Sequence, residues 1–189
     1  GALHTSQTVF LPSGGSPTTC TIQYVKCVPA TTTVVEAVRF TTDANRMYAY
    51  PNLVVNQQGD VIISCARFTN TSYPAACVIV RRFGDPVWYE TTFKTGEDWY
   101  VNYDNANPAR NRWGDYTACA IDPSDDQSVW VCSEYSRPKA GPTSGRWGTW
   151  WAKICSGVCQ SIVSVNTPQN NGTMKKFEAQ NIVFGNNHL

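Results

Sequence analysis

The sequence predicts an all-β protein of antiparallel strands, and three observations support this class. Charged residues make up only 15% of the chain and aromatic residues 12%, with many Thr, Ser, Asn and Gly residues, a mix that favours strands and turns. Short apolar runs, several with a two-residue period, recur between clusters of turn residues. No segment has the apolar periodicity of an amphipathic helix.

Successive runs define the predicted strands, which cover residues 4–10, 20–28, 34–40, 52–55, 61–68, 75–83, 87–94, 116–121, 128–135 and 146–154. A loop is expected over 136–145, where Pro138, Gly141, Pro142 and Gly145 cluster. The pattern of strand, turn and strand around 56–60 recurs roughly 65 residues later around 122–127. Repeated sets of meandering strands indicate a propeller, a sandwich or a barrel.

The cysteines favour disulfides over a metal site. There are 8 cysteines and 2 histidines, the histidines lie at opposite ends, and no C-x-x-C motif is present, so zinc ligation is poorly supported. Oxidised pairs indicate an extracytoplasmic compartment. A local scheme, one of about 105 possible connectivities, pairs Cys20 with Cys27, Cys65 with Cys77, Cys119 with Cys132, and Cys155 with Cys159.

Charge and hydropathy exclude two classes of partner. A net charge of +1 provides no basic footprint for nucleic acid or an anionic surface. No run approaches the 18 or so apolar residues of a membrane-spanning helix.

Residues 112–116 are the sharpest candidate ligand site. Trp113 and Tyr116 could stack on a sugar while Arg112 and Asp115 hydrogen-bond to it. In the alternative interpretation, Arg112 pairs with Asp115 and Trp113 packs between sheets.

The turn after the eighth predicted strand is a candidate calcium site. Asp122, Asp125 and Asp126 offer carboxylate oxygens, which calcium prefers, although Asp is also favoured in tight turns for backbone reasons. Structural calcium is the only cofactor that the sequence suggests.

No catalytic residue is predicted. The dipeptides Tyr89-Glu90 and Glu134-Tyr135 invite comparison with a Tyr/Glu nucleophile pair, but adjacent strand residues point to opposite faces. His4 is expected to be a hydrogen-bonded structural residue. Of Trp150 and Trp151, one is expected in the core and the other either exposed or packed between neighbouring sheets.

Two longer stretches carry a family resemblance. "RWGDYTACAIDPSDDQSVWVCSEY", followed by "RWGTWWAKI", resembles the closing blades of secreted bacterial β-propellers of the sialidase-like (BNR) type, and "YPNLVVNQQGDVIISCARFTNTSYPAACVIVRR" resembles the preceding blade. The resemblance covers residues 1–154. The tail, 155–189, is similar through "GTMKKFEAQNIVFGNNHL" to the start of a β-stack module that accompanies type IX secretion in Bacteroidota.

The resemblance implies a partial propeller of about two and a half to three blades followed by a short β-tail. A propeller closes with roughly four to eight blades, so missing blades or a partner chain are expected to complete it. The implied function is a secreted or cell-surface segment for non-catalytic binding, adhesion or surface assembly, with a glycan or surface protein as ligand. The alternative is part of an exported sialidase-like glycoside hydrolase or peptidase whose catalytic residues lie outside this segment.

Overall fold

The computed structural model describes the backbone of residues 1–40, 45–156, 166–168, 174–176 and 180–184. These residues form strands, with one 3-10 turn at Pro29–Thr31 and no α-helix. The all-β prediction is therefore confirmed. Within the described ranges, no helix has the length and apolar character needed to cross a membrane.

Three sheets carry the architecture, each an antiparallel meander. The first sheet contains β1 (Leu3–Leu11), β2 (Thr19–Val28) and β3 (Thr33–Arg39). The middle sheet contains β4 (Arg46–Val55), β5 (Val61–Thr69), β6 (Ala75–Arg81) and β7 (Tyr89–Lys94). The last sheet contains β8 (Ala118–Ile121), β9 (Val129–Gly141) and β10 (Ser144–Ser156).

Three short strands follow in the tail. β11 (Asn166–Pro168) pairs with β12 (Met174–Lys176), and β13 (Gln180–Phe184) adds in parallel to β10. The predicted boundary between residues 154 and 155 thus falls inside β10, where the last sheet continues to Ser156.

Each predicted strand has a counterpart in the structure, but the predicted loop over 136–145 is wrong. β9 continues to Gly141 and pairs with β10 in a long hairpin. Pro138 is accommodated because the register shifts between Ser144 and Arg146, and an irregularity of this kind tolerates the missing N–H of proline.

The sheets stack face to face, and the middle sheet is buried on both sides. Its face toward the first sheet packs Ile63 and Ile79 against Ile22 and Tyr24. Its face toward the last sheet forms a second cluster of buried residues: Ile62, Ala76, Val78, Val80, Phe93, Val129, Val131, Tyr135, Ala152 and Ile154. This two-sided burial explains why β5 and β6 are continuous apolar runs rather than alternating ones.

The first strand of the middle sheet, β4, contacts the first strands of the other two sheets, β1 and β8. The backbone N–H of Tyr50 donates to the Thr8 hydroxyl of β1 at 3.1 Å, and the Thr117 hydroxyl, just before β8, donates to the Tyr50 carbonyl at 2.7 Å. The described residues close neither a barrel nor a propeller ring, so the partial propeller stays a prediction.

The repeated turns seen in the sequence lie side by side. The Gln57 N–H donates to the Asp126 carbonyl at 3.1 Å, and the Asn56 amide donates to the Gln127 carbonyl at 2.8 Å. The sequence repeat therefore corresponds to equivalent turns of neighbouring sheets.

The first three predicted disulfides are not formed, and only one of these pairs has its cysteines directly opposed. Cys65 and Cys77 are buried and directly opposed on β5 and β6, although both thiols are free. The pairing of Cys20 with Cys27 is wrong because both lie on β2, where seven residues span about 23 Å.

The third predicted pair is one residue out of register. Cys119 lies opposite Val131, and Cys132 lies opposite Ala118, so the thiols of Cys119 and Cys132 point to opposite faces. Both are free. For the fourth pair, Cys155 is buried and Cys159 lies outside the described residues.

Candidate functional site

A cleft of about 530 Å³ opens where β1 ends, between the first and middle sheets and the long loop over 95–117. We call it the aromatic cleft. Its volume lies within the roughly 300–1,000 Å³ of small-molecule sites. Its walls are mainly apolar side chains with a few polar groups, formed by Thr8, Phe10, Cys20, Met47, Ala49, Tyr50, Phe68, Pro74, Tyr100, Asn111 and Trp113.

Trp113 forms the centre of the loop wall. Its ring meets Phe68 edge-on at a centroid distance of 5.4 Å and Tyr100 at 4.7 Å. Its indole Nε1 is buried and has no hydrogen-bond partner among the described residues. The aromatic contacts fix the ring while leaving this donor unused.

The loop beneath Trp113 is held by its own hydrogen bonds. The Arg112 N–H donates to the Asn102 carbonyl at 2.8 Å, and the Asn111 side-chain oxygen accepts from the Asn102 N–H at 2.7 Å. The Gly145 N–H donates to the Val101 carbonyl at 2.6 Å, which joins the loop to β10. These hydrogen bonds hold the loop that forms this wall of the cleft in a fixed position.

Tyr50 lines the cleft in a strained backbone conformation. Its φ is 56°, a left-handed value that is an outlier for an aromatic residue and costs about 1–3 kcal/mol. The strain arises in a bulge, since the register of β4 and β5 shifts between Ala49 and Asn52. Such strain concentrates at functional sites. Burial raises the pKa of the Tyr50 phenol, which keeps it a hydrogen-bond donor.

Behind the same loop lies a buried carboxylate, Glu134 of β9. Its side chain is only 6% exposed, and it forms no hydrogen bond or ion pair within the part of the chain that the structure describes. Burial raises the pKa of Glu134 to about 7, and the nearby charge of Asp115 adds to the effect. A carboxyl group of this kind changes protonation near neutral pH.

Gly114 is the residue that makes room for Glu134. A Cβ at Gly114 would lie 1.9 Å from both carboxylate oxygens of Glu134. A side chain at Gly114, between Trp113 of the cleft wall and Asp115, would therefore force the Glu134 carboxylate to move.

Of the four predicted ligand residues, the structure places only Trp113 in the cleft. Arg112 and Asp115 are exposed outside it, and Tyr116 is 83% exposed. The alternative ion pair between Arg112 and Asp115 does not occur among the salt bridges of the described residues. The motif therefore supplies one aromatic wall and the glycine that covers Glu134.

The carboxylates of the predicted calcium turn are occupied by protein donors. Asp122 accepts from Lys153 at 2.7 Å, Trp130 Nε1 at 3.0 Å and the Ser124 hydroxyl at 2.7 Å. The bond from Lys153 is the main cause of a strongly lowered pKa of Asp122. The Lys153 ammonium thus takes the place that a cation would occupy.

The other two carboxylates of this turn do not complete a metal site. Asp125 accepts from the Ser128 hydroxyl at 2.7 Å, and Asp126 adopts a left-handed φ of 52° that suits the turn. Across the described residues, no group of three or more His, Cys, Asp or Glu side chains is arranged to hold a metal ion. The geometry favours the turn interpretation.

Other expectations for single residues are confirmed. The Nδ1 of His4 lies 2.8 Å from the Tyr24 hydroxyl, a structural hydrogen bond. Trp150 packs against the core while Trp151 is exposed.

Sequence reasoning missed Phe10, Met47, Phe68 and Tyr100 as cleft walls, and it missed the burial of Glu134. The one local signal was Tyr50-Pro51 within an apolar strand pattern, because proline interrupts a ladder and marks a bulge.

Comparisons of the chain with protein-family models, curated proteins and solved structures found no match. The resemblance to sialidase-like propellers and to type IX cargo therefore stays a prediction, and the functional argument depends on the geometry of the cleft.

Proposed function

We propose that this chain is the binding segment of a secreted or cell-surface protein and that it holds a glycan in the aromatic cleft. The observation that carries this proposal is the cleft itself, about 530 Å³ in volume and walled by aromatic side chains. Sugar rings present apolar C–H faces that pack on aromatic rings and hydroxyls that bond to a few polar groups.

The cleft offers both kinds of contact. Phe10, Tyr100 and Trp113 supply apolar surface, and Thr8 and Tyr50 of the lining carry hydroxyl groups. The Thr8 oxygen accepts from the Tyr50 N–H, which leaves its O–H free to donate to a ligand. Adhesion through a glycan needs no further chemistry from this segment.

The edge of the first sheet supports the expectation of further strands or a partner chain. Val34 and Val35 of β3 are 60% and 56% exposed, and β3 has no strand beyond it in the described sheet. Exposed apolar side chains on an edge strand are a liability unless another element covers them.

Phe10→Ala tests the proposal directly. Phe10 is 62% exposed, so its removal leaves the fold intact while taking away a cleft wall. We expect glycan affinity, found on an oligosaccharide array and measured by calorimetry, to fall about tenfold, which corresponds to about 1.4 kcal/mol. Tyr116→Ala is the matched control, since Tyr116 is 83% exposed and lies outside the cleft. Equal affinity in wild type and Phe10→Ala, or no glycan binding by the wild type, would overturn the proposal.

A further inference from the structure

A second cleft, of about 300 Å³, lies at the opposite end of the first and middle sheets from the aromatic cleft. Four of its lining residues carry basic side chains and one carries a carboxylate; they are His4, Lys26, Arg81, Arg82 and Asp85. We call it the basic cleft. The basic side chains come from β1, β2 and the end of β6, so the cleft depends on the packing of two sheets.

Arg81 is fixed in this cleft before any ligand arrives. Its guanidinium lies over the ring of Trp88 at 4.6 Å and over that of Tyr24 at 5.6 Å, and one of its nitrogens donates to Glu36. Arginine has five N–H donors, so this single ion pair leaves others for a ligand. A side chain held this way loses little conformational entropy on binding.

The single carboxylate in the lining is already occupied. Asp85 accepts from the Val87 N–H at 2.8 Å and from the Tyr89 hydroxyl at 3.0 Å. Lys26, by contrast, forms no ion pair with a carboxylate of the described residues. The Asp85 carboxylate is therefore already hydrogen-bonded within the protein, whereas the Lys26 ammonium is available to a ligand.

The pKa of His4, the histidine in the cleft, is sensitive to the positive charges around it. Burial lowers the pKa of His4, and the charges of Lys26 and Arg81 lower it further, while Glu36 opposes them. A positive potential therefore reaches the imidazole from two neighbouring strands.

We propose that the basic cleft binds an anionic group (a sulfate, phosphate or carboxylate) carried by a ligand of about monosaccharide size. Lys26 and Arg81 supply the cationic donors, and the cleft volume of about 300 Å³ sets the size of the ligand. This proposal is independent of glycan binding in the aromatic cleft, because the two clefts share no residue.

The two histidines allow a direct test by NMR titration of the whole chain. His4 lies in the basic cleft and His188 lies near the end of the chain, so His188 serves as an internal reference. Inorganic sulfate, inorganic phosphate and glucuronate are the probes. We expect at least one of them to raise the pKa of His4, since a bound anion stabilises the imidazolium, and to leave that of His188 unchanged.

Two variants sharpen the test. Lys26→Gln is expected to raise the pKa of His4 in the absence of anion, by removing a nearby positive charge, and to weaken anion binding about fivefold or more. Arg39→Gln removes the same charge from β3, where Arg39 is exposed and bonds to Gln23, and is expected to change neither.

The three anions distinguish the chemistry of the ligand: a response to sulfate, phosphate or glucuronate alone names the group that the cleft accepts. No response of His4 to any of them, an equal response of His188, or unchanged binding in Lys26→Gln would overturn the proposal.

Discussion

Glu90 and Glu134 both sit on strands beside a tyrosine, yet the fold gives them opposite surroundings. Glu90 accepts hydrogen bonds from Arg46 at 2.8 Å, from Arg67 at 3.2 Å and from the Tyr48 hydroxyl. Burial alone would raise the pKa of Glu90, but the bond from Tyr48 and the charge of Arg46 outweigh burial and lower it. Glu134 has burial without such partners, and its pKa rises to about 7.

The difference separates a structural carboxylate from a candidate functional one. A carboxylate with its charge compensated stabilises the fold and stays ionised, as expected for Glu90. A buried carboxylate without compensation costs stability, and proteins retain such groups mainly where they are used. Glu134 lies behind the loop that carries Trp113, so the stability lost by burying this carboxylate is lost next to the candidate binding site.

The largest expected effect comes from removing the compensated carboxylate. Glu90→Gln leaves Arg46 and Arg67 without their counter-charge, and we expect the free energy of unfolding at pH 7 to fall by about 2–4 kcal/mol. Because the folded-state pKa is lowered, the difference from wild type is present above about pH 4.5 and shrinks as the pH falls. Chemical denaturation at a series of pH values measures it.

Glu97→Gln is the matched control for this change. Glu97 pairs with Lys94 at 2.7 Å in a partly exposed position, where removal is expected to cost less than about 1 kcal/mol. An equal loss in the two variants would mean that Glu90 is no more structural than a surface carboxylate.

The next effect tests the close approach of Gly114 to Glu134. Gly114→Ala is expected to destabilise the fold by about 1–3 kcal/mol, because the new Cβ overlaps both carboxylate oxygens. Adding Glu134→Ala removes the overlap, so the double variant is expected to be more stable than the sum of the single changes predicts. Gly15→Ala, where a Cβ meets nothing within 4 Å, is the neutral control. Strict additivity of the two changes would refute the contact.

The strands and turns of this protein were predictable because the signals that specify them are local. Alternating or continuous apolar runs gave the strand positions, and the repeat of turns 56–60 and 122–127 corresponds to neighbouring sheets. Hairpin symmetry also predicted that Cys65 and Cys77 are opposed. The same symmetry failed for Cys119 and Cys132, because a shift of one residue reverses the face.

The candidate site was only partly predictable because its parts come from distant segments. Trp113 belongs to a recognisable motif, but its partners Phe68 and Tyr100 come from β5 and from another part of the loop. The isolation of Glu134 depends on which segment covers β9, and Gly114 lies twenty residues before it in the chain. No periodicity in the sequence indicates that two residues so far apart in the chain lie close together.

The smallest expected effect concerns Glu134 itself and has the opposite sign to that of Glu90. Because its folded-state pKa is raised to about 7 above the unfolded value of about 4.3, the folded state holds a proton that the unfolded state releases between these values. Glu134 therefore lowers the stability of the wild type as the pH rises through this window, and the loss is complete above about pH 7. Glu134→Gln stays neutral, so we expect it to be more stable than wild type by about 1–2 kcal/mol at pH 8, which is less than the full pKa shift implies because solvent screens part of the charge, and equal to it near pH 3. Denaturation midpoints at both pH values measure this difference between Glu134→Gln and wild type. A difference independent of pH would mean that the Glu134 carboxylate is compensated after all, and the contrast with Glu90 would disappear.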